Sequence, residues 1–228
     1  MRVFVLYPRY SYPTRSGLSW STERSGQLVG LDFEGWNPFR DVEFVSGGNT
    51  WSASGNPTDE SLARLSSFWG NARGAKAPLN QSHVIGDFGS SPKVDVIVDE
   101  QFMASSQKLS EDALGFTEFS NVWDVFADTR PWDGPCYLAC VKELRPTYDL
   151  DKSELIRQSG VIPRLEGAYI SNGSKRIVRA SSVMDAGPIW RAEYTREVFC
   201  NQDFISLLSD LGVSEWSTRE IQVLNDLN

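Results

Sequence analysis

The feature that most constrains the fold of this chain is a short pattern that occurs twice at a constant spacing. Residues 96–102 (VIVDEQF) match residues 198–204 (VFCNQDF) at an offset of 102 positions (198 − 96 = 102). Each copy reads as an apolar strand, then Asp99 or Asn201 as a helix N-cap, then a helix entered through a phenylalanine. We therefore expect a strand–helix–strand unit that the chain uses twice.

The ends of the two predicted helices also correspond. Each helix is followed by a glycine, Gly115 or Gly212, and glycine readily adopts the left-handed backbone that ends a helix. An apolar–polar–Glu–aromatic run follows each glycine, at residues 116–119 and 213–216. Two copies are too few for a solenoid, so the pattern predicts a duplicated unit inside one globular fold.

The remaining segments predict an α+β protein with mixed, mostly antiparallel sheets and a few helices. Asn56 is a candidate N-cap for a helix whose apolar stripe continues through Phe68 and Trp69, and residues 8–30 have the composition of a loop. Residues 122–126 and 136–141 are expected to form one hairpin, and Asn172-Gly173 predicts the turn of another. Further strands are predicted at residues 2–7, 42–45, 94–98, 189–194 and 198–200.

The chain is long enough for a substantial core, with 228 residues of which 40% are hydrophobic. Residues 1–91 are expected to be a divergent N-terminal part of the same globular unit. Residues 92–228 are expected to form the α+β region that contains both copies of the repeated pattern.

Charge and composition argue against several classes of function. The net charge of −8 disfavours binding to nucleic acid, which depends on Lys and Arg, and it suits solubility or steering toward a basic protein. The N-terminal apolar run ends at Pro8 and is too short for a signal peptide, and no stretch approaches the roughly 20 apolar residues of a membrane span. The three cysteines form an odd set, so we expect reduced thiols and a cytoplasmic location.

Catalytic motifs are absent from the sequence. The one histidine, His83, lies in a polar stretch and is expected to be solvated. Cys136 and Cys140 are four apart in a predicted strand, so they share a face, and we expect them to be small core residues. The sequence therefore predicts no catalytic residue, no metal and no cofactor.

One acidic and aromatic stretch is a candidate surface for binding a protein partner. The candidate residues are Trp123, Asp124, Asp128, Trp132 and Asp133. Aromatic side chains supply most of the energy at many interfaces, and carboxylates steer basic partners. The alternative is a hairpin with one buried Trp and a solvated tip.

The repeated strand–cap–helix unit, with residues 135–141 (PCYLACV) between its copies, resembles a bacterial immunity-protein family. This family was first catalogued as a domain of unknown function and was later assigned to polymorphic and contact-dependent toxin systems. The resemblance covers about residues 92–224, and Asp99 and Asn201 stand where the family usually has serine. It implies a cytoplasmic protein that binds one cognate secreted toxin and blocks its active or assembly surface, with no catalytic residues.

Two other functions remain open at this stage. Asp95, Asp99 and Glu100 could form a carboxylate-based site in an enzyme of unfamiliar type, which would respond to divalent metals. The chain could also be a non-catalytic scaffolding module of a secretion system, which would assemble with itself. The oligomeric state is not predicted by the sequence.

Overall fold

A computed structural model describes residues 1–8, 18–24, 35–36, 41–43, 57–65, 67–72, 83–87, 96–157, 169–171, 175–193, 197–214 and 216–224. The helices are α1 (Asp59–Leu65), α2 (Glu100–Leu109) and α3 (Gln202–Asp210). The strands before residue 130 are β1 (Val3–Pro8), β2 (Leu18–Ser21), β3 (Trp69–Ala72), β4 (Val84–Asp87), β5 (Val96–Asp99), β6 (Leu114–Glu118) and β7 (Val122–Trp123). The later strands are β8 (Cys136–Val141), β9 (Leu144–Arg145), β10 (Leu155–Arg157), β11 (Tyr169–Ser171), β12 (Ile177–Arg179), β13 (Ile189–Ala192), β14 (Val198–Asn201) and β15 (Trp216–Leu224).

These strands form four sheets. Two are large, with the orders β4-β5-β8-β6 and β12-β15-β1-β14-β13-β9, and two are small, with the orders β2-β3-β7 and β10-β11. Most neighbouring strands are antiparallel, and the parallel pairs are β12 with β15, β13 with β9, and β3 with β7. The predicted α+β class with mixed, mostly antiparallel sheets is therefore confirmed.

Strands from residues 1–91 pair with strands from residues 92–228 in three of the four sheets. Strand β1 lies between β14 and β15, β4 pairs with β5, and β3 pairs with β7. The main-chain hydrogen bonds of these pairs tie the described N-terminal strands to the later part of the chain.

The two large sheets contain the same unit twice. In the first unit β8 lies between β5 and β6 and is antiparallel to both, and in the second unit β1 lies in the same way between β14 and β15. Strand β4 flanks β5 as β13 flanks β14, and β3 runs parallel to β7 as β12 runs parallel to β15. The repeated strand–helix–strand unit predicted from the sequence is thus present. The connectivity of the two copies differs, because the middle strand β8 follows the other strands of the first unit in the sequence, whereas the middle strand β1 precedes those of the second.

The strand register makes the two units equivalent residue by residue. Glu118 pairs with Tyr137 in the first unit, and Glu220 pairs with Phe4 in the second. The offset is therefore 102 along β5, α2 and β6 (220 − 118 = 102), as it is between the two N-caps. The offset between equivalent residues of β1 and β8 is 133 (137 − 4 = 133). The pairs Leu114–Val141 in the first unit and Trp216–Pro8 in the second are related by the same two offsets.

Both helices of the repeated unit begin at the predicted N-caps. The carboxylate of Asp99 accepts a hydrogen bond from the Phe102 N–H at 2.8 Å, and the side-chain oxygen of Asn201 accepts from the N–H groups of Asp203 at 2.9 Å and Phe204 at 3.1 Å. These bonds satisfy amides that a helix cannot pair internally. The two predicted caps are confirmed.

The predicted helix ends are confirmed for one copy only. Gly212 has the left-handed φ of 65° after α3, whereas α2 ends at Leu109 and Gly115 lies inside strand β6. Residues 116–119 are consequently equivalent to residues 218–221, and the predicted alignment with residues 213–216 was wrong. The loop after α2 needs no left-handed glycine, because Ser110 leaves the helix in an extended conformation.

Alternation along the strands gives each large sheet two buried faces. One face of each sheet, together with α2 and α3, forms a central apolar cluster in which the rings of Phe102 and Phe204 both pack on Trp216. The other face of the four-stranded sheet carries an outer cluster that includes Trp20, Leu65 and Phe119. The other face of the six-stranded sheet carries a second outer cluster, with Tyr148, Trp190 and Phe199. The helix pair therefore lies between the two sheets, and further chain segments cover them on the outside.

Several local predictions differ from the structure. Part of the segment predicted as loop forms β2, and helix α1 is capped by Thr58, whose Oγ1 accepts from the Ser61 N–H at 3.3 Å. The helix ends at Leu65, so Trp69 starts strand β3 instead of extending the predicted stripe. Asn56, the predicted cap, lies outside the described residues.

Both predicted hairpins were wrong. The strand at β7 stops at Trp123 and pairs with β3, whereas β8 is taken up between β5 and β6. Strand β11 pairs with β10, and β12 pairs with β15, so these two strands do not pair with each other. The turn residues Asn172 and Gly173 lie outside the described part of the chain, and so do residues 44–45 of the strand predicted at 42–45.

Candidate functional site

The connection between β7 and β8, residues 124–135, is a surface loop whose first turn is held by internal hydrogen bonds. The carboxylate of Asp124 accepts bonds from the N–H groups of Phe126 at 2.9 Å and Ala127 at 3.0 Å. The backbones of Asp124 and Thr129 bond to each other in both directions. Asp128 has a φ of 50°, a left-handed conformation that Asp tolerates better than most residues. The turn therefore presents one defined surface.

That turn exposes an aromatic side chain beside carboxylates. Phe126 is 54% exposed, which is unusual for a phenylalanine, and Asp128 and Asp133 are exposed as well. Trp132 is partly buried, because it packs against the outer cluster of the four-stranded sheet. The loop thus combines an exposed apolar ring with acidic neighbours on an anchored base.

A cleft of about 240 Å³ lies between the second half of this loop and the edge of the four-stranded sheet. Its walls come from the end of β6, the start of β8 and the loop between them. The lining residues are Glu118, Ser120, Val122, Arg130, Pro131, Trp132, Asp133, Gly134, Pro135 and Cys136.

The structure divides the five predicted binding residues into two groups. Trp132 and Asp133 line the cleft, and Asp128 is exposed on the turn. Asp124 is buried with its carboxylate engaged by the turn, and the ring of Trp123 is covered by the guanidinium of Arg24 at 4.4 Å. The prediction that Asp124 contributes a surface carboxylate was therefore wrong, because its oxygens have a structural partner.

Sequence reasoning missed Phe126 and the cleft residues Glu118 and Arg130. Phe126 was assigned to a strand, where an aromatic residue is expected to be half-buried. The signal that could have found it is the spacing from Asp124, since an Asp two residues before the aromatic can close an Asx turn and leave the ring at its tip. Glu118 has no such local signal, because only the long-range pairing of β6 and β8 brings it to the loop.

His83 is paired with the buried N-cap of α2 and is not a solvated loop residue as predicted. Its Nδ1 lies 2.7 Å from the Asp99 carboxylate, and the His83 side chain is only 22% exposed. Asp99 therefore serves both the helix and the imidazole. In the second unit the equivalent positions are Pro188 and Asn201, and they keep only the main-chain bond, with the Asn201 N–H donating to the Pro188 carbonyl at 3.0 Å.

The carboxylate set proposed for an enzyme is only partly described. The carboxylate of Asp99 is engaged by His83 and by the Phe102 N–H. Glu100 is exposed in the first turn of α2, and Asp95 lies outside the described residues. Within the described ranges, no group of three or more His, Cys, Asp or Glu side chains is arranged to hold a metal ion.

The three cysteines are buried, as predicted for Cys136 and Cys140, and carry no disulfide. Cys136 and Cys140 both point into the outer cluster of the four-stranded sheet, which confirms that they share one face. Burial raises the pKa of the Cys136 thiol to about 11 and that of Cys200 to about 12. Both therefore remain protonated thiols near neutral pH, which makes them poor nucleophiles.

Tyr137 lies on β8 at the end of the first unit where Glu118 and the start of α2 are found. Burial, followed by the carboxylates of Glu100 and Glu118, raises the pKa of its phenol. Glu118 is the direct cross-strand partner of Tyr137 in the register of β6 and β8.

Comparison with known proteins does not place this chain in a family. No protein-family model matches it, and no curated protein matches it significantly. Among the helices that the structure describes, none is both long enough and apolar enough to cross a membrane. The features available for a functional argument are thus the fold and the loop surface themselves.

Proposed function

We propose that this protein works by binding another protein through the surface formed by residues 124–135, and that it is an immunity protein which neutralises a cognate bacterial toxin in the cytoplasm. It would do so by covering the active or assembly surface of the toxin. The observation that carries the proposal is the exposed Phe126 ring on a turn fixed by Asp124.

The physical case concerns the cost of ordering a binding surface. A loop that is already held by hydrogen bonds loses little conformational entropy when a partner docks, so the contacts that it makes contribute more to affinity. An exposed aromatic ring supplies a large apolar contact area in one residue. A fixed turn with such a ring at its tip suits a binding surface better than a solvated connection.

The charge of the chain supports a basic partner. Asp128 and Asp133 are exposed on the same loop as the ring, and the whole chain carries a net charge of −8. Complementary charge raises the rate of encounter with a partner, and it does so less at high salt. The resemblance of residues 92–224 to toxin-neutralising immunity proteins supports a toxin as that partner.

The direct test is binding to the toxin domain encoded beside this chain. The two proteins should form a complex on size exclusion, and Phe126→Ala should weaken it about 10-fold or more in titration calorimetry, as expected for an interface hot spot. Met184→Ala is the matched control, because Met184 is 74% exposed and follows Val183, which belongs to the outer cluster of the six-stranded sheet. A complex that tolerates Phe126→Ala as well as Met184→Ala would contradict this surface, and failure to form any complex would contradict the toxin partner.

An enzyme is a second candidate, favoured by the pair of His83 and Asp99. A carboxylate that orients an imidazole at 2.7 Å is a feature of many general bases. If this pair belongs to an enzyme of the metal-dependent type, divalent cations should raise the melting temperature by mass action. No change with Mg²⁺, Mn²⁺, Ca²⁺ or Zn²⁺ would count against that alternative.

A further inference from the structure

The second unit of the duplicated fold holds an arginine in a defined site. The guanidinium of Arg2 donates to both carboxylate oxygens of Glu220, with its Nε at 2.9 Å and its Nη2 at 2.8 Å, and its Nη1 donates to Gln202 Oε1 at 3.0 Å. Its Cζ lies 5.1 Å from the centroid of the Phe4 ring. The site thus consists of an aromatic face, a bidentate carboxylate and a third acceptor at the start of a helix.

The register of the strands identifies the equivalent site in the first unit. Glu220 corresponds to Glu118 and Gln202 to Glu100 at the offset of 102, and Phe4 corresponds to Tyr137 at the offset of 133. The equivalence is structural as well as numerical, because Glu118 pairs with Tyr137 as Glu220 pairs with Phe4. Both Glu100 and Gln202 are the first residue of their helix.

The first unit keeps this arrangement but lacks the arginine. Pro135 stands at the position equivalent to Arg2 (135 − 133 = 2). Glu100 and Glu118 form no ion pair within the part of the chain that the structure describes, and the hydrogen bond found for Glu118 is a long one from Ser120 Oγ at 3.4 Å. Arg130 lines the same cleft as Glu118 and makes no ion pair with it. The first unit therefore has Glu118 beside Tyr137 and Glu100 at the position of Gln202, and neither carboxylate forms an ion pair among the described residues.

We propose that Tyr137, Glu118 and Glu100 form a receiving site for an arginine side chain that the protein partner supplies. This deepens the proposed function and rests on it, since it names a side chain that the partner supplies; Glu118 belongs both to this site and to the lining of the cleft beside residues 124–135. The first unit is the more acidic of the two, because Glu100 replaces the neutral Gln202. An arginine suits the site better than a lysine, because its planar guanidinium can pair with Glu118 through two bonds while it stacks on Tyr137.

A small probe tests the site without the toxin. N-acetyl-arginine amide and N-acetyl-lysine amide are titrated against the full chain, and the ring signals of Tyr137 are followed by NMR. We expect saturable shifts with the arginine probe at millimolar concentrations and several-fold weaker binding of the lysine probe. Shifts that are equal for the two probes, or absent for both, would overturn the proposal.

Charge-neutralising variants assign the binding to the carboxylates. Glu118→Gln and Glu100→Gln are each expected to weaken binding of the arginine probe about two- to fivefold, the range found for exposed ion pairs. Glu111→Gln is the matched control, since it makes the same charge change at an exposed position outside the site. Equal weakening by all three variants would reduce the effect to general electrostatics and refute the site.

A graft from the second unit gives an independent test. Pro135→Arg places a guanidinium where Arg2 lies in the other copy, so it should fill the site and abolish binding of the probe. If Arg130 were the natural occupant, Arg130→Ala would instead tighten binding of the probe, and this result would overturn the assignment to a partner.

The toxin complex then separates the two proposals. If the complex forms and is weakened by both Pro135→Arg and Glu118→Gln, the partner uses the site. If the complex forms and neither change affects it, the arginine inference is wrong while the proposed function stands. If the arginine probe binds but no toxin complex forms, the proposed function is wrong while a guanidinium site remains.

Discussion

The N-cap of α2 offers the sharpest test of the structural reasoning, because the fold contains its own control. Asp99 caps α2 through the Phe102 N–H and also pairs with His83, whereas Asn201 caps α3 in the same way and has no such imidazole partner. Removing each side chain with Asp99→Ala and Asn201→Ala therefore measures the same cap with and without the histidine.

The magnitudes follow from the bonds that are lost. An N-cap replaced by alanine costs about 0.5–2 kcal/mol, which is the whole expected effect of Asn201→Ala. Asp99→Ala also removes a buried hydrogen bond from an ionised group, which adds roughly 1.5–3 kcal/mol. We expect a total near 2–5 kcal/mol for Asp99→Ala, and roughly 2–4 °C of melting temperature per kcal/mol for a chain of this size. Asp99→Asn should cost less than about 1 kcal/mol, because Asn caps equally well and its amide can still bond to the imidazole.

Urea unfolding followed by tryptophan fluorescence measures these differences as shifts of the midpoint at constant slope. Adding His83→Ala to each variant completes two double-mutant cycles. A coupling energy near zero between His83 and Asp99, or a cost of Asp99→Ala no larger than that of Asn201→Ala, would refute the reasoning. A cost of Asp99→Asn as large as that of Asp99→Ala would show that the charge, and not the cap, dominates.

Three further predictions concern the core, the thiols and the loop. Phe204→Ala should destabilise the fold by about 3–5 kcal/mol in urea unfolding, because it opens a cavity beside Trp216 in the central cluster, and a loss below 1 kcal/mol would contradict that packing. Burial raises the pKa of Cys200 to about 12, so the folded state binds the thiol proton more tightly than the unfolded state. The contribution of this thiol to stability should be complete below about pH 9 and decline as the pH rises toward 12. Urea midpoints measured across that range should fall less in Cys200→Ala. Asp128→Val should lower the free energy of unfolding by about 1–2 kcal/mol, because a β-branched residue is strained at a φ of 50°, whereas Asp128→Gly should keep the wild-type melting temperature or raise it.

The parts of the fold that the sequence predicted are those specified by local chemistry. Asp99 and Asn201 predict where their helices begin, because an N-cap side chain accepts hydrogen bonds from amides only two or three residues away. Gly212 was predicted for the same reason, since its left-handed backbone closes a contact within the preceding turn. Gly115 is also a glycine but does not end a helix, because the chain already leaves α2 at Ser110 in an extended conformation.

The pairings that the sequence did not predict depend on distant parts of the chain. Strand β8 follows β7 closely, so a hairpin was the natural expectation, yet β8 lies between β5 and β6, where both of its faces become buried. A strand that buries both faces gains more apolar contact than one in an exposed hairpin, and this gain is invisible to turn chemistry. His83 was misjudged for a similar reason, because its partner lies 16 residues away on another strand.

The comparison of the two units also indicates where function resides. Their sheets, registers and caps agree, so both copies satisfy the same requirements for packing. They differ at the imidazole of His83 and at Pro135, which stands in place of an arginine. They differ also in connectivity: residues 124–135 join β7 to β8 in the first unit, whereas β15 and β1, the equivalent strands of the second unit, are far apart in the sequence. The pair of His83 and Asp99 has a role in stability, but Pro135 and the rest of residues 124–135 are hard to attribute to folding, since the second unit folds without them. We therefore expect substitutions at Glu118 and Phe126 to change binding far more than stability, and the equivalent substitution at Glu220 to change neither.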